Sequence, residues 1–238
     1  MQALIVFAHP EPLSFNAALR DTSREVLAGA GWTVVESDLY AMNFDPVVSR
    51  SDFTTVQNPH YLNVSLEQRH ALEHGGLADD VRTELDKLLA ADLLLLHFPL
   101  WWFGLPAILK GWIDRVFVSG GVYGRTAMFE TGKLRGKRAM LCVTTGAPEG
   151  AFGPNSLNGE FLDVLAPVHR GVLALTGMTV LPPFAAFATP YAGQEGRGSM
   201  LRAWRAHLTE LDRLEPLPMP RLAMFPDVYR GLDRPRAR

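Results

Sequence analysis

The sequence predicts an α/β protein: a five-stranded parallel sheet with helices on both faces. Three observations predict it. Short β-rich apolar runs alternate with segments of helical spacing along most of the 238 residues, the pattern of βαβ units. Two of the runs, Leu4-Ile5-Val6-Phe7 and Leu93-Leu94-Leu95-Leu96, are apolar without alternation, as strands are when helices cover both of their faces. The composition, 47% hydrophobic and 20% charged, is that of one globular domain able to bury a core without disulfides or metal.

The predicted strands run from Ala3 to Ala8, Thr33 to Glu36, Asp92 to Phe98, Arg138 to Val143 and Met178 to Leu181. Helical spacing covers Asn16 to Ala30, Asp79 to Leu89, Pro106 to Phe117, Gly159 to Leu175 and Ser199 to Leu214. The stretch from Ser49 to Gly76 is polar, contains His60, His70 and His74, and has little periodicity; it reads as a surface excursion. From Glu215 onward five prolines stand among aromatic and basic residues, which predicts an extended arm over 215–238 following a domain over 1–214.

A formal charge of −2 provides no basic field for nucleic acid. Cys142 is the only cysteine and lies in the apolar run from Ala139 to Val143, so a buried small hydrophobe in a reducing compartment is expected. The start lacks the basic and small-residue features of a signal peptide, and no apolar stretch approaches the roughly 20 residues of a membrane span. A cytoplasmic protein is expected. The seven histidines show no metal-ligand spacing, so no metal site is predicted. No GxSxG motif supports hydrolase chemistry.

Right-handed crossovers place every strand-to-helix loop on one sheet edge, where ligands bind at the switch in strand order. Three loops matter: 9–16, 98–106 and 144–159. In the first, Ser14 or Asn16 could cap the following helix and leave backbone N–H groups facing a phosphate. It has no glycine, which excludes a P-loop and a GxGxxG fingerprint. The second, from Phe98 to Pro106, holds three consecutive aromatics, Trp101, Trp102 and Phe103, where a simple turn would be polar. Such a loop can wall a flat ligand such as an isoalloxazine ring, or act as a core plug or subunit interface. The third, Thr144-Thr145-Gly146-Ala147-Pro148-Glu149-Gly150, lets its amides approach a planar ring.

Taken together, Leu4-Ile5-Val6 with His9, Ser14-Phe15-Asn16, the run from Glu36 to Phe44 and the run from Phe98 to Trp112 closely resemble the NAD(P)H:quinone oxidoreductase (DT-diaphorase-like) family. The resemblance covers most of residues 3–212. It implies a flavodoxin-like fold, a homodimer with active sites at its interface, tightly bound FAD rather than FMN, and NAD(P)H as electron donor. The implied reaction is ping-pong, two-electron (hydride) reduction of a quinone.

By position, the resemblance implies that His9, Ser14, Phe15 and Asn16 hold the pyrophosphate side. It further implies that Pro99, Leu100, Trp101, Trp102 and Phe103 line the ring, and that Thr144, Thr145, Gly146 and Ala147 bind its polar edge. Glu195 and Arg197, ahead of the last helix, match the adenosine end. Tyr123 matches a substrate-pocket tyrosine from the partner subunit, with Trp102 and Phe103 also facing substrate. Three departures stand out. The tyrosine and histidine that assist the reduced flavin are replaced by Phe152 and Asn158, so no catalytic residue is certain. The second pocket tyrosine is replaced by Arg125, which brings positive charge beside the substrate. Arg170 and Ala174 stand where some relatives have metal-binding histidines. The alternatives are a reductase of nitroaromatic or azo compounds, a flavin-bound regulator of a potassium-efflux transporter, and a one-electron carrier. The pocket-type tyrosine weighs against the last.

Overall fold

The computed structural model describes residues 1–227. In chain order the main elements are β1 (Gln2–Phe7), α1 (Phe15–Gly29), β2 (Thr33–Asp38), α2 (Val64–Glu73), α3 (Asp79–Ala90) and β3 (Leu93–Pro99). They continue with α4 (Ala107–Val116), β4 (Arg138–Thr144), α5 (Phe161–Val168), β5 (Thr179–Val180), β6 (Phe184–Ala186) and α6 (Gly193–Thr209). The sheet is wholly parallel in the order β2-β1-β3-β4-β5, with β6 also on β4. Its order reverses beside β1, so the loops after β1 and β3 open a crevice at the carboxyl edge.

Every residue of β3 is buried because both faces are covered. On one side α1 and α6 close over Ile5, Leu95 and Met140; on the other, α3, α4 and α5 pack on Leu4, Val6, Leu96 and Leu141. A fully buried tryptophan anchors each side. Trp204 of α6 donates through Nε1 to the Leu19 carbonyl (3.0 Å) and Ser23 Oγ (2.9 Å) of α1. Trp112 of α4 donates to the buried Glu84 carboxylate of α3 at 2.7 Å. One glycine is dictated by a close approach: a Cβ at Gly111 of α4 would lie 2.2 Å from the Pro46 carbonyl oxygen.

Four expected elements differ. The fifth strand is two pieces: β5 pairs with Arg138 and Ala139, β6 with Cys142 to Thr144. Between them, Pro182 and Pro183 lack the N–H groups a continuous ladder needs. The polar excursion contains α2. The expected helix over 159–175 has Pro167 inside α5 and widens into a π-helix over His169–Ala174, where proline has removed a backbone donor. Finally, α6 starts at Gly193 rather than Ser199. After α6, the Leu217 amide bonds to the Val180 carbonyl (2.8 Å), and the Glu130 carboxylate accepts the amides of Leu222 (2.8 Å) and Ala223 (3.0 Å). The rest of the expected arm, 228–238, lies outside the described residues.

Candidate active site at the carboxyl edge of the sheet

Ser14, not Asn16, caps α1: its Oγ accepts the Ala17 amide at 3.1 Å. Asn16 is instead 1% exposed, and its Nδ2 donates to Thr144 Oγ1 at 2.6 Å. This bond ties the first loop to the third. Asn16 Oδ1 is buried with no partner among the described residues, although buried polar atoms are almost always satisfied. Phe15 is half-buried against the α1 and α6 side of the core. His9 Nδ1 accepts the Glu11 amide at 3.0 Å, which puts the ring proton on Nε2. Burial holds its pKa below the ordinary value of 6.5, so at neutral pH His9 is an N–H donor rather than a cation. Its ring centre lies 6.2 Å from that of Trp101.

The second loop begins at Leu100, whose amide bonds to the Thr144 carbonyl at 2.8 Å; Pro99 pairs with Thr144 in the sheet. Trp101 and Gly104 then exchange both backbone hydrogen bonds, at 3.2 and 2.9 Å. The two residues between them are left-handed, Trp102 with φ 51° and Phe103 with φ 57°. Such turns favour Asn-Gly, and two bulky residues here store about 1 kcal/mol or more each. Trp102 is 99% and Phe103 53% exposed. Among the described residues their amides meet no acceptor. The turn therefore leaves both rings exposed and both amides without an acceptor among the described residues.

Thr144 and Thr145 are buried, and Thr145 Oγ1 accepts the Ala147 amide at 2.8 Å. Gly146 is exposed, and a Cβ built there would meet nothing, so the space before the loop is open. Phe152 packs in an aromatic trio, with ring centres 5.2 Å from Phe161 and 5.6 Å from Phe187. The backbone amide of half-buried Asn158 bonds to the Ala151 carbonyl at 2.9 Å.

Sequence reasoning missed a fourth segment at this edge. After β6, the Ala188 amide bonds to the Ala147 carbonyl (3.0 Å) and the Thr189 amide to the Thr145 carbonyl (3.1 Å). Arg197 Nε reaches the Thr189 carbonyl at 3.4 Å. Glu195 and Arg197 thus lie inside the first turns of α6, exposed, not ahead of it. The apolar run Phe184-Ala185-Ala186-Phe187 directly after Pro182-Pro183 was the available signal.

Tyr123 lies elsewhere on the chain, in a groove of about 310 Å³ with Lys110, Asp114, Val172 and Leu175. Lys110 and Val172 also line a second groove of about 310 Å³ with Leu100, Phe103, Leu105 and Pro167. The two grooves are neighbours that share Lys110 and Val172. Arg170 is exposed and Ala174 buried on the π-helix. Among the described residues, no three His, Cys, Asp or Glu converge as metal ligands.

The residues present fit a flavin nucleotide. The Ser14-capped helix start and the Nε2 donor of His9 suit phosphate; the exposed rings, free amides and open glycine suit a planar heterocycle. The orphaned amide atom of Asn16 is left for a ligand, and since Thr144 Oγ1 can donate or accept, that atom can be either oxygen or nitrogen.

The comparisons agree. The sequence matches the flavodoxin-like fold family over residues 1–208. It is 40% identical over 218 residues to the ribosyldihydronicotinamide dehydrogenase (quinone) of Homo sapiens, covering 91% of this chain and 94% of that protein. It is 38% identical over 217 residues to the NAD(P)H dehydrogenase (quinone) 1 of Rattus norvegicus, covering 91% and 79%. A solved chain from Klebsiella pneumoniae, described as a quinone reductase, superposes with a TM-score of 0.88 at 35% identity, covering 93% of this chain and 88% of that one. The left-handed aromatic turn, the Ser14-capped start of α1 and these matches together place the chain in the flavodoxin-like family and, within it, among the NAD(P)H:quinone oxidoreductases.

Proposed function

We propose that this chain is a flavin-dependent NAD(P)H:quinone oxidoreductase that takes FAD in preference to FMN and works as a homodimer. The observation that carries the reading is the turn holding Trp102 and Phe103 left-handed and exposed beside the Asn16–Thr144 bond. The preference for FAD rests on the surface running from Thr145 through Thr189 to Arg197 and Glu195, which extends the site beyond a mononucleotide. The apolar groove under Phe103 supports a second copy as its cover. The free, buried Cys142 fits a cytoplasmic setting, and no helix among the described residues is long and apolar enough to cross a membrane. The flavin domain is assigned to residues 1–214, and the arm that follows it begins at Glu215.

Bound flavin supplies two-electron transfer from NAD(P)H to a quinone, the two reactants taking turns at one face. The chain's contribution is to bind and orient. His9 Nε2 and the start of α1 hold phosphate, and Trp102 and Phe103 wall the ring and keep water from one side. Thr145, Gly146 and Ala147 offer backbone groups to its polar edge. Phe152 carries no exchangeable proton and the Asn158 side-chain amide donates and accepts hydrogen bonds without giving up a proton, so protons reach the site from solvent.

Purification followed by release of the cofactor tests the proposal: FAD, identified by mass and absorbance, and NAD(P)H-driven reduction of a neutral naphthoquinone are expected. A colourless protein that FAD and FMN both fail to reconstitute would sink it. Asn16→Ala should weaken FAD binding by about 10- to 100-fold, the worth of a buried hydrogen bond to a ligand, as read by titration of the apoprotein. Phe152→Tyr should preserve or raise the rate of flavin bleaching by NAD(P)H. A large loss would mean that the ring edge points into the trio with Phe161 and Phe187 rather than toward the site.

A further inference from the structure

The carboxyl end of α2 carries two histidines side by side. His70 and His74 stand four residues apart, an interval that puts both rings on one face only where the chain is helical. Helix α2 has no hydrophobic period to announce it in the sequence, so the interval acquires its meaning from the fold. The ring centres lie 4.2 Å apart, with the planes at 29°. The pair rests on a fixed platform. Asn63 Oδ1 accepts the Leu66 amide at 3.3 Å at the start of α2, Glu67, Gln68 and Ala71 are buried beneath it, and Gly75, left-handed at φ 67°, follows its end. The His70 carbonyl holds His74 twice, accepting its backbone amide at 3.0 Å and its ring Nδ1 at 2.8 Å. Because a carbonyl only accepts, Nδ1 of His74 carries a proton and Nε2 faces away from that bond. No hydrogen bond among the described residues engages His74 Nε2 or either ring nitrogen of His70.

We propose that His70 and His74 together chelate one borderline divalent cation, of the class of Cu²⁺, Ni²⁺ and Zn²⁺, with water completing the coordination. Imidazole nitrogen suits these ions, whereas Mg²⁺ and Ca²⁺ take oxygen. Two histidines one turn apart on a helix are a recurrent metal-binding pair. Bonds of roughly 2.0–2.1 Å to a shared metal set the two ligating nitrogens about 3 Å apart, which rings already stacked reach by side-chain rotation. A ligating imidazole ordinarily donates its other N–H to a carbonyl or carboxylate, a bond that fixes tautomer and aim, and His74 already makes that bond. Glu67, close enough to His70 to feel its charge, and the exposed Glu73 add a negative field. Among the described residues no third His, Cys, Asp or Glu converges on the pair, so the metal exchanges readily. A bound ion pins the end of α2, which the Thr54 amide also grips through the Gly76 carbonyl at 2.7 Å. The site holds no flavin-binding residue, so its test is independent of the oxidoreductase reading.

The experiment uses the full chain without an affinity tag, stripped of metal by EDTA and dialysed free of the chelator. Calorimetric titration with Ni²⁺ should show one site per chain, and Cu²⁺ should bind more tightly. His70→Gln and His74→Gln should each weaken Ni²⁺ binding about 100-fold, the low end of the advantage of two linked ligands over one. Ni²⁺ at about 100 times its dissociation constant should raise the wild-type melting temperature by roughly 5 °C. Mg²⁺ should not raise it, and neither variant should respond to Ni²⁺. Electron paramagnetic resonance of the Cu²⁺-loaded protein reads the ligands directly: coupling to two imidazole nitrogens in the wild type should fall to one in each variant. If half-buried His70 proves necessary for folding, His74→Gln, at the exposed helix end, carries the test alone. A wild type without a Ni²⁺ site, or a site that keeps its affinity in a folded variant, overturns the proposal.

Discussion

On acidification from pH 6.5 to about 4.5, the protein should lose up to about 5 kcal/mol of folding stability, at about 1.4 kcal/mol per pH unit for each of two histidines. Burial pushes His97 down to about 3 and His169 down to about 4 from the ordinary 6.5. Both are neutral in the folded chain while the unfolded chain takes up their protons as the pH falls below 6.5. Their contribution is thus present above 6.5 and is lost as pH falls toward the folded values. His97 sits in the middle of the sheet with Nε2 3.1 Å from Ser23 Oγ, and its Nδ1 has no partner among the described residues. Since Ser23 accepts from Trp204 and donates to the Leu19 carbonyl, a charged His97 would have to carry its second proton into a site without an acceptor. Glu36, which burial holds above its usual value, gains a proton in the folded state and offsets part of the loss. Urea unfolding at a series of pH values reads the slope, and His97→Gln, which can keep the bond to Ser23, should remove about half of it. An unchanged slope in that variant would refute the assignment.

Gly111→Ala should destabilise the protein by about 2 kcal/mol even though alanine is the better helix former. Mid-helix, alanine gains about 1 kcal/mol over glycine. Here the added methyl would lie 2.2 Å from the Pro46 carbonyl oxygen and 2.4 Å from its Cα. Backbone cannot rotate aside, so α4 must shift from the chain ahead of α2, and overpacking of this kind costs about 3 kcal/mol. The melting temperature should fall by about 4 to 8 °C for a domain of this size. A rise would show that propensity outweighs the contact. A displaced α4 also moves Lys110, which lines both grooves beside the aromatic turn.

How much of this could be read in advance depended on whether burial is apolar and local. The strands β1 and β3 are legible because both faces are hydrocarbon, so the runs at Leu4 and Leu93 have no competing period. Helix α2 was hidden because the face it buries is polar. Glu67 accepts the amides of Gln57 and Asn58 at 2.6 and 2.9 Å, and Gln68 accepts the Ser119 amide at 3.0 Å. No hydrophobic periodicity marks such a helix. The strand β6 was hidden by Pro182 and Pro183, which read as the end of a sheet rather than a gap in it. At the site, the three loops could be named from strand positions and the aromatic run, and Ser14 behaves as a cap residue should. The bond from Asn16 to Thr144 spans 128 positions, and the network of His97, Ser23 and Trp204 draws on three distant elements. Neither leaves a local trace, because only the packing of α1 and α6 on the sheet brings those residues together.

The exposure of Trp102 has a consequence for how long the molecule survives. A ring left 99% in water on a turn already under strain is a sticky handle for aggregation and for quality-control proteins. Whatever covers that ring also stabilises the chain by mass action, by a further 1.4 kcal/mol or so for each tenfold rise in free ligand above its dissociation constant. If the cover is the proposed flavin, the amount of protein a cell maintains follows its supply of the vitamin: starvation lowers abundance by turnover before any change in synthesis.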